Sequence, residues 1–180
     1  MRRIMILGGA GSGKSTLACI LARRLDIPVV HVDKMYWSPG WVARPRDETD
    51  SLARAAADGA AWVFDGNHLR SAAYRAARAE LIVFIDLPAS LRLWRSLRRV
   101  LRHRGETRPD MAEACPEQWP DRDFLRFILG YGADGRLRTL AFLDDWRGRV
   151  EVVHLETRGA VRAFLDDPRW RAIAPRPTPR

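Results

Sequence analysis

Hydrophobic and polar positions alternate along this chain in blocks rather than residue by residue. Five apolar, β-branched runs stand out: Arg3–Leu7, Pro28–Val32, Ala61–Asp65, Leu81–Leu87 and Val150–Leu155. Between and after them lie stretches of helical character near 14–25, 46–59, 70–79, 88–104, 121–147 and 158–166. Alternation of this kind predicts an α/β fold, a parallel sheet with helices on both faces. The runs are continuously apolar, as strands buried on both sides must be. In such sheets ligands gather at the carboxyl ends of the strands. Those ends are polar here. The second run closes on His31 and Asp33, the third on Asp65, Gly66, Asn67 and His68, the fourth on Asp86 just before Pro88.

One helical stretch is more sharply patterned than the rest. From Pro88 to Arg104, Leu91, Trp94, Leu97 and Leu101 recur at spacings of three and four, which predicts a buried apolar face. Arg92, Arg95, Arg99 and Arg102 fall on another side and read as a basic, solvated face. The helix leaves the carboxyl end of the fourth strand, so some of these arginines can reach a phosphate bound there. Beyond it, 105–120 is interrupted by Pro109, Pro116 and Pro120 and reads as a mobile lid that excludes water and delivers arginines.

The first strand leads directly into a complete G-x-x-x-x-G-K-[ST] pattern: Gly8, Gly9, Ala10, Gly11, Ser12, Gly13, Lys14, Ser15, followed by Thr16 and a helix. Strand, glycine loop and helix make a physical anion site of this string. The glycines let main-chain N–H groups curl around phosphates, and the helix N-terminus adds positive partial charge. Lys14 supplies a point charge to the β- and γ-phosphates, and the Ser15 hydroxyl can ligate Mg²⁺. ATP with Mg²⁺ is the expected ligand.

The other candidates divide by role. Asp86 can hold Mg²⁺ directly or through water, or simply cap a strand end. Asp33 can take a proton from an attacking hydroxyl or bind the metal. Trp37 and Trp41, with Tyr36 before them and Pro39 and Gly40 between them, either shape an acceptor pocket or anchor the loop on the domain. Gly66 permits close backbone approach, and Asn67 can hold a substrate or orient Asp33. Arg70 can line the pocket of a phosphorylated acceptor. His68 reads as a polar loop residue.

Composition narrows the setting. The chain has 180 residues, enough for one domain with a real core, and 47% of them are hydrophobic. A single domain over 1–174 is expected, with a lid insertion at about 104–121 and a flexible, proline-rich tail at 175–180. No apolar run approaches the roughly 20 residues of a membrane span. Charged Arg2 and Arg3 followed at once by a strand leave no room for a signal peptide. Cys19 and Cys115 are far apart and form no metal pattern, so a reduced, cytoplasmic protein is the expectation. The net charge is +9 and, with only Lys14 and Lys34 as lysines, the excess is arginine. Arginine excess fits phosphate chemistry, a solvated arginine-biased surface, or nucleic-acid affinity. The sequence carries no recognised DNA-reading motif.

Taken together, the motifs resemble the adenylate-kinase-like branch of the P-loop kinases, and within it the DNA-topology-modulation (FlaR-like) family. The resemblance runs from Gly8 to about Phe164. It rests on Gly8–Ser15, His31 and Asp33 with Trp37, Gly40 and Trp41, Asp65-Gly66-Asn67, and Leu81–Pro88. It implies a three-layer P-loop NTPase fold with a five-stranded parallel sheet in the order 2-3-1-4-5 and a helical lid. It implies lid-entry arginines seven and eleven residues past Pro88, here Arg95 and Arg99, and is similar in its Arg108-Pro-Asp110 segment and Cys115. The expected activity is transfer of the ATP γ-phosphoryl group to a small acceptor, with Lys14, Asp33, Arg95 and Arg99 as catalytic residues. The turn after Asp65 and the short aromatic segment after the second strand depart from adenylate kinases proper, which speaks against AMP as acceptor. An ATP-dependent nucleic-acid-binding regulator is the alternative, and a slow, signalling ATPase a third.

Overall fold

The computed structural model describes residues 1–170; the expected tail lies outside them. Five strands, β1 (Arg3–Gly8), β2 (Val29–His31), β5 (Trp62–Asp65), β6 (Leu81–Ile85) and β7 (Glu151–Leu155), form one parallel sheet in the order β2-β5-β1-β6-β7. Numbered among themselves, these strands stand in the order 2-3-1-4-5. Successive residues of the central strand serve opposite faces, as the pleat requires. Ile4 and Ile6 enter a core with Leu17, Leu21, Phe164 and Trp170, beneath α1 (Lys14–Leu25) and α8 (Arg158–Asp166). Met5 and Leu7 enter a second core with Trp62, Phe64, Ala72 and Leu143. That face is covered by α3 (Arg46–Ala57), α4 (Leu69–Ala76) and α7 (Gly135–Trp146). The sheet thus lies between two helical layers.

Two additions and one division refine the expected elements. The segment after β2 folds into a short helix, α2 (Val32–Tyr36), and a small hairpin, β3 (Trp37–Ser38) with β4 (Val42–Ala43), turned at Pro39 and Gly40. Asp33 therefore sits in the first turn of α2, not at a strand end. The expected helix over 121–147 is two helices, α6 (Arg122–Gly130) and α7. Gly130 and Gly132 loosen the chain on either side of Tyr131, whose side chain turns inward and is buried. The segment at about 104–121, expected as a helical lid, contains no helix; it lies between α5 (Ala89–His103) and α6. The segment between them is held by turns and two isolated bridges, Arg104 to Glu117 and Thr107 to Pro116.

The patterned helix α5 packs differently from its apolar spacing. Its buried stripe is Arg92, Ser96 and Val100, while Trp94 is 54% and Leu101 66% exposed. The reason is the surface it meets. A Cβ on Gly11 would lie 2.2 Å from the Arg92 carbonyl oxygen and 2.5 Å from Ser96 Oγ. The helix lies against the bare main chain of the glycine loop: Arg92 meets one of its carbonyls, and Ser96 is small enough for the close approach. Among the described residues no helix is long and apolar enough to cross a membrane.

Candidate functional site

The glycine loop leaves β1 at Gly8 and re-enters regular structure at Lys14, the first residue of α1. Gly13 precedes the helix with φ of 94°, a left-handed conformation that a side chain would oppose. No side chain caps the helix, so its first amides remain available to an anion beside Lys14 and Ser15. A cleft of about 280 Å³ opens over this helix end, lined by Gly11, Gly13, Lys14, Ser15 and Thr16. Its opposite wall is Arg95, Arg98, Arg99 and Arg102 of α5, with Arg108 and Asp110 of the lid. A second hollow of about 210 Å³ lies on the far side of Arg95. It is lined by Leu17, Ile20, Leu87 and Val161 with Arg158 and Arg162.

The three acids have separate environments. Asp65 is buried, and His31 Nδ1 stands 2.9 Å from its Oδ2. Burial pushes its pKa up, but the His31 hydrogen bond, Lys14 and the Ser15 hydroxyl outweigh this and hold it below the ordinary value. Its other oxygen, Oδ1, is buried with no hydrogen-bond partner. Asp33, in the first turn of α2, is exposed to solvent, yet protein crowds around it. That crowding, with the charges of Asp65 and Asp110, raises its pKa against the pull of Lys14 and Arg108. Asp86 lies on the other side of β1. Arg136 Nε donates to both its oxygens, at 3.0 and 2.8 Å, and His154 Nε2 is 3.0 Å from Oδ2. Asp86, His154 and Glu156 place ligand atoms within 4.8 Å of one another, but the Arg136 ion pair already takes up the carboxylate. Of the three acids, Asp65 is the one whose pKa the Ser15 hydroxyl lowers.

Two of the cleft arginines, Arg99 and Arg108, are oriented by acids. Glu117, 7% exposed, accepts from Arg99 Nε at 2.9 Å and, through its other oxygen, from Arg108 Nε at 2.7 Å. Asp110 also holds Arg108. Binding through Nε leaves the terminal nitrogens of Arg99 available toward the cleft that this residue lines. Arg95 donates from Nη1 to the Ser12 carbonyl at 2.9 Å.

The aromatic loop and the lid form a small core of their own. Trp37 and Trp41 meet edge to face at 5.2 Å and pack with Met111, Ala112 and Cys115. Trp41 Nε1 donates to the Pro116 carbonyl at 3.0 Å, its main-chain N–H to Cys115 Sγ at 3.3 Å, and the Gly40 N–H to the Ala114 carbonyl at 3.0 Å. These bonds offset the cost of φ 63° at Trp41, a left-handed conformation for a bulky residue. Of the two readings of the tryptophans, the geometry describes anchors, and what they anchor is the 111–116 stretch.

Two expected acceptor residues are directed elsewhere. Asn67 Oδ1 accepts from the Gly8 N–H at 2.9 Å while its Nδ2 donates to the Gly8 carbonyl at 3.0 Å, so the amide is engaged by the start of the glycine loop. Arg70 projects to the surface and pairs with Asp47 at 2.7 Å. Gly66 is buried at φ 134°, against Val32, where a Cβ would come within 2.7 Å. The loop holding Asn67 is fixed by Arg75, fully buried, which donates to the carbonyls of Gly66 at 3.0 Å and His68 at 2.8 Å. Burial lowers the Arg75 pKa to about 10, which leaves it charged. Neither Arg75 nor Glu117 carries a sequence signal beyond its charge. Exposed Arg70, Arg54 and Arg126 each pair with a neighbouring acid, as a solvated arginine surface does.

No protein-family model matches the chain, and no curated protein matches it. Solved structures do. The fold is similar to that of shikimate kinase from Acinetobacter baumannii in complex with shikimate, at 17% identity over 92% of this chain and 89% of that one, with a TM-score of 0.55. It is also similar to shikimate kinase from Bacteroides thetaiotaomicron, at 17% identity over 92% and 97%, with a TM-score of 0.51. At such identity the likeness is one of fold: a five-stranded parallel P-loop architecture spanning nearly the whole of each chain.

Proposed function

We propose that this protein is a P-loop kinase that transfers the γ-phosphoryl group of ATP to a hydroxyl group of a small metabolite. The observation that carries this reading is the basic cleft over the glycine loop, where Lys14 and Ser15 face Arg95, Arg99 and Arg108. Asp33 stands close enough to Lys14, Arg108 and Asp110 of this lining to feel their charge, and its pKa is raised. A base of raised pKa beside a phosphate site suits proton removal from an attacking hydroxyl. A phosphorylated acceptor needs no base but needs arginines of its own, and Arg70 is turned to the surface.

In this scheme the loop amides, Lys14 and Ser15 cradle the triphosphate. The hollow lined by Leu17, Ile20 and Val161 takes the nucleobase, with Arg95 between base and phosphates. The acceptor oxygen forms its bond to the γ-phosphorus as the bridging bond to the β-phosphate breaks. The hydroxyl proton passes to Asp33 and the charge leaves on ADP. Arg95, Arg99 and Lys14 stabilise charge spread over the moving phosphoryl oxygens. Ser15 and Asp65, whose Oδ1 has no hydrogen-bond partner, would hold Mg²⁺ more readily than the ion-paired Asp86. When bound with ATP, Mg²⁺ supplies charge neutralisation on the phosphates. The tryptophan-anchored lid closes the acceptor side against water.

ADP formation from ATP, measured with and without each of a panel of hydroxylated metabolites, hydroxy acids, sugars, nucleosides and nucleoside monophosphates, tests this. Shikimate belongs in the panel because proteins of this fold act on it by name. A hydroxylated compound that raises ADP formation and becomes phosphorylated is the expected result. Stimulation by nucleoside monophosphates alone would replace the hydroxyl acceptor by a phosphate. No stimulation by any compound, with salt-sensitive DNA binding that responds to ATP, would favour the nucleic-acid alternative from the topology-modulation resemblance.

A further inference from the structure

Arg92 stands on the buried stripe of α5 and is 3% exposed. Its guanidinium donates to carbonyls on three separate segments. Nε reaches Leu87 at 3.1 Å, Nη2 reaches Ile128 at the end of α6 at 3.2 Å, and Nη1 reaches Ala10 in the glycine loop at a looser 3.4 Å. The ring of Tyr131 lies against it, 4.9 Å from the guanidinium carbon. The loop wraps this group closely. A Cβ on Gly9 would stand 2.4 Å from Nη1, and one on Gly11 would stand 2.2 Å from the main-chain oxygen of Arg92. The glycines at these two positions are thus needed for the approach to α5 as well as for the turn.

Ala10 is one of three alternate loop residues gripped from outside. Gly8 is paired through both its polar groups with Asn67, and the Ser12 carbonyl accepts from Arg95. In a trans peptide the C=O and the following N–H point in opposite directions. No peptide of this chain is cis. Holding the carbonyls of Gly8, Ala10 and Ser12 on these side chains therefore turns the N–H groups of Gly9, Gly11 and Gly13 away from them. A planar fork with five donors can satisfy three carbonyls at once; an ammonium on a flexible stem cannot reproduce that geometry.

We infer that Arg92 is a positioning residue for the phosphate site: it fixes the Ala10–Gly11 peptide so that the Gly11 N–H faces the bound anion. This rests on reading Gly8–Ser15 as the phosphate site, and on no property of the acceptor.

The test uses the full-length protein, with Arg92→Lys and Arg92→Met. Affinity for Mg²⁺-ADP is measured by calorimetry at low temperature, with thermal melts and amide hydrogen exchange alongside. Both variants should fold and bind ADP more weakly by about tenfold or more, as expected when one aligned donor set is lost. Amides of residues 8–13 should exchange faster without nucleotide, while those of β1 and β6 keep their protection. A role confined to stability would lower the melting temperature and leave ADP affinity of the folded protein unchanged, and that result overturns the inference. Failure of both variants to fold would assign Arg92 to the fold and overturn it equally. No ADP binding by the unaltered protein would overturn the reading of the loop, and this inference with it. Normal binding there with normal binding in both variants overturns the inference alone.

Discussion

The glycine loop and the aromatic loop are held by opposite chemistry. The glycine loop is gripped from outside by polar side chains, Asn67, Arg92 and Arg95, each ending on a main-chain group. The aromatic loop and lid are held by Trp37, Trp41, Met111 and Cys115, a small apolar core with a few main-chain bonds. The difference follows from what each side must present. A loop that offers its amides to an anion has given up its own ladder, so its carbonyls need donors elsewhere. A loop that anchors a neighbouring segment needs only to keep its form, and aromatic packing supplies that at little entropic cost.

Lys14→Ala tests the polar side most severely. Turnover should fall by on the order of 10³-fold or more, since a charge on the moving phosphoryl group is lost. ATP consumption at the original rate would remove the loop from the chemistry. Asp33→Asn comes next, with phosphoryl transfer reduced by about 10²-fold or more and ATP affinity retained. Its pH behaviour has a definite sign. Asp33 is a base only when ionised, so kcat/KM should rise with pH through a pKa above the ordinary aspartate value, and that limb should vanish in the variant. The same raised pKa means that ionised Asp33 opposes folding as pH rises through it. Asp33→Asn should therefore melt no lower than the parent at neutral pH, and a lower melting temperature would contradict the environment described for it.

Trp41→Ala tests the aromatic side. The acceptor KM should rise by about tenfold and stability fall by ~1–3 kcal/mol, with ATP affinity unchanged. An equal loss of ATP affinity would show that the two sides are one unit. Asp65→Asn bears on the acid beneath both. Its folded pKa lies below the unfolded value, so ionised Asp65 stabilises the fold above the unfolded pKa, and this is lost as pH falls through the folded pKa. The variant should thus melt lower than the parent near neutrality and converge with it in acid; a constant difference across pH would refute the assignment. The smallest effect is expected of Arg70→Ala, an exposed ion pair whose loss should leave acceptor KM and melting temperature where they were. A large rise in KM would return Arg70 to the acceptor pocket.

Much of this was legible before any coordinates. The apolar runs at Arg3–Leu7 and Leu81–Leu87 read as buried parallel strands because a strand covered on both faces shows no alternation, and both are central in the sheet. The glycine pattern read as an anion loop because its residue types have few other uses at that spacing. The helix after Pro88 misled, since periodicity records only hydrocarbon: Trp94 and Leu101 are exposed while Arg92 and Ser96 are buried against main chain. Asn67 was legible as a residue near the site but not as a clamp on Gly8, because a side chain that serves a distant backbone leaves no local pattern. Asp86 and Asp65 both end apolar runs and look alike in sequence; Arg136 and His154, contributed by α7 and β7, set them apart.

The sequence by itself determined the layered α/β architecture, the phosphate loop, and the set of acids and arginines near the strand ends. These follow from local periods and from residue types with narrow conformational or chemical ranges. The tertiary structure alone decided which acid has its pKa lowered by Ser15, which arginines turn inward, and what the tryptophans hold. Each of those depends on a partner many residues away: Asn67 on Gly8, Arg92 on Ala10 and Ile128, Trp41 on Pro116. A side chain's role is set by the main chain it reaches, and only the folded chain brings the two together.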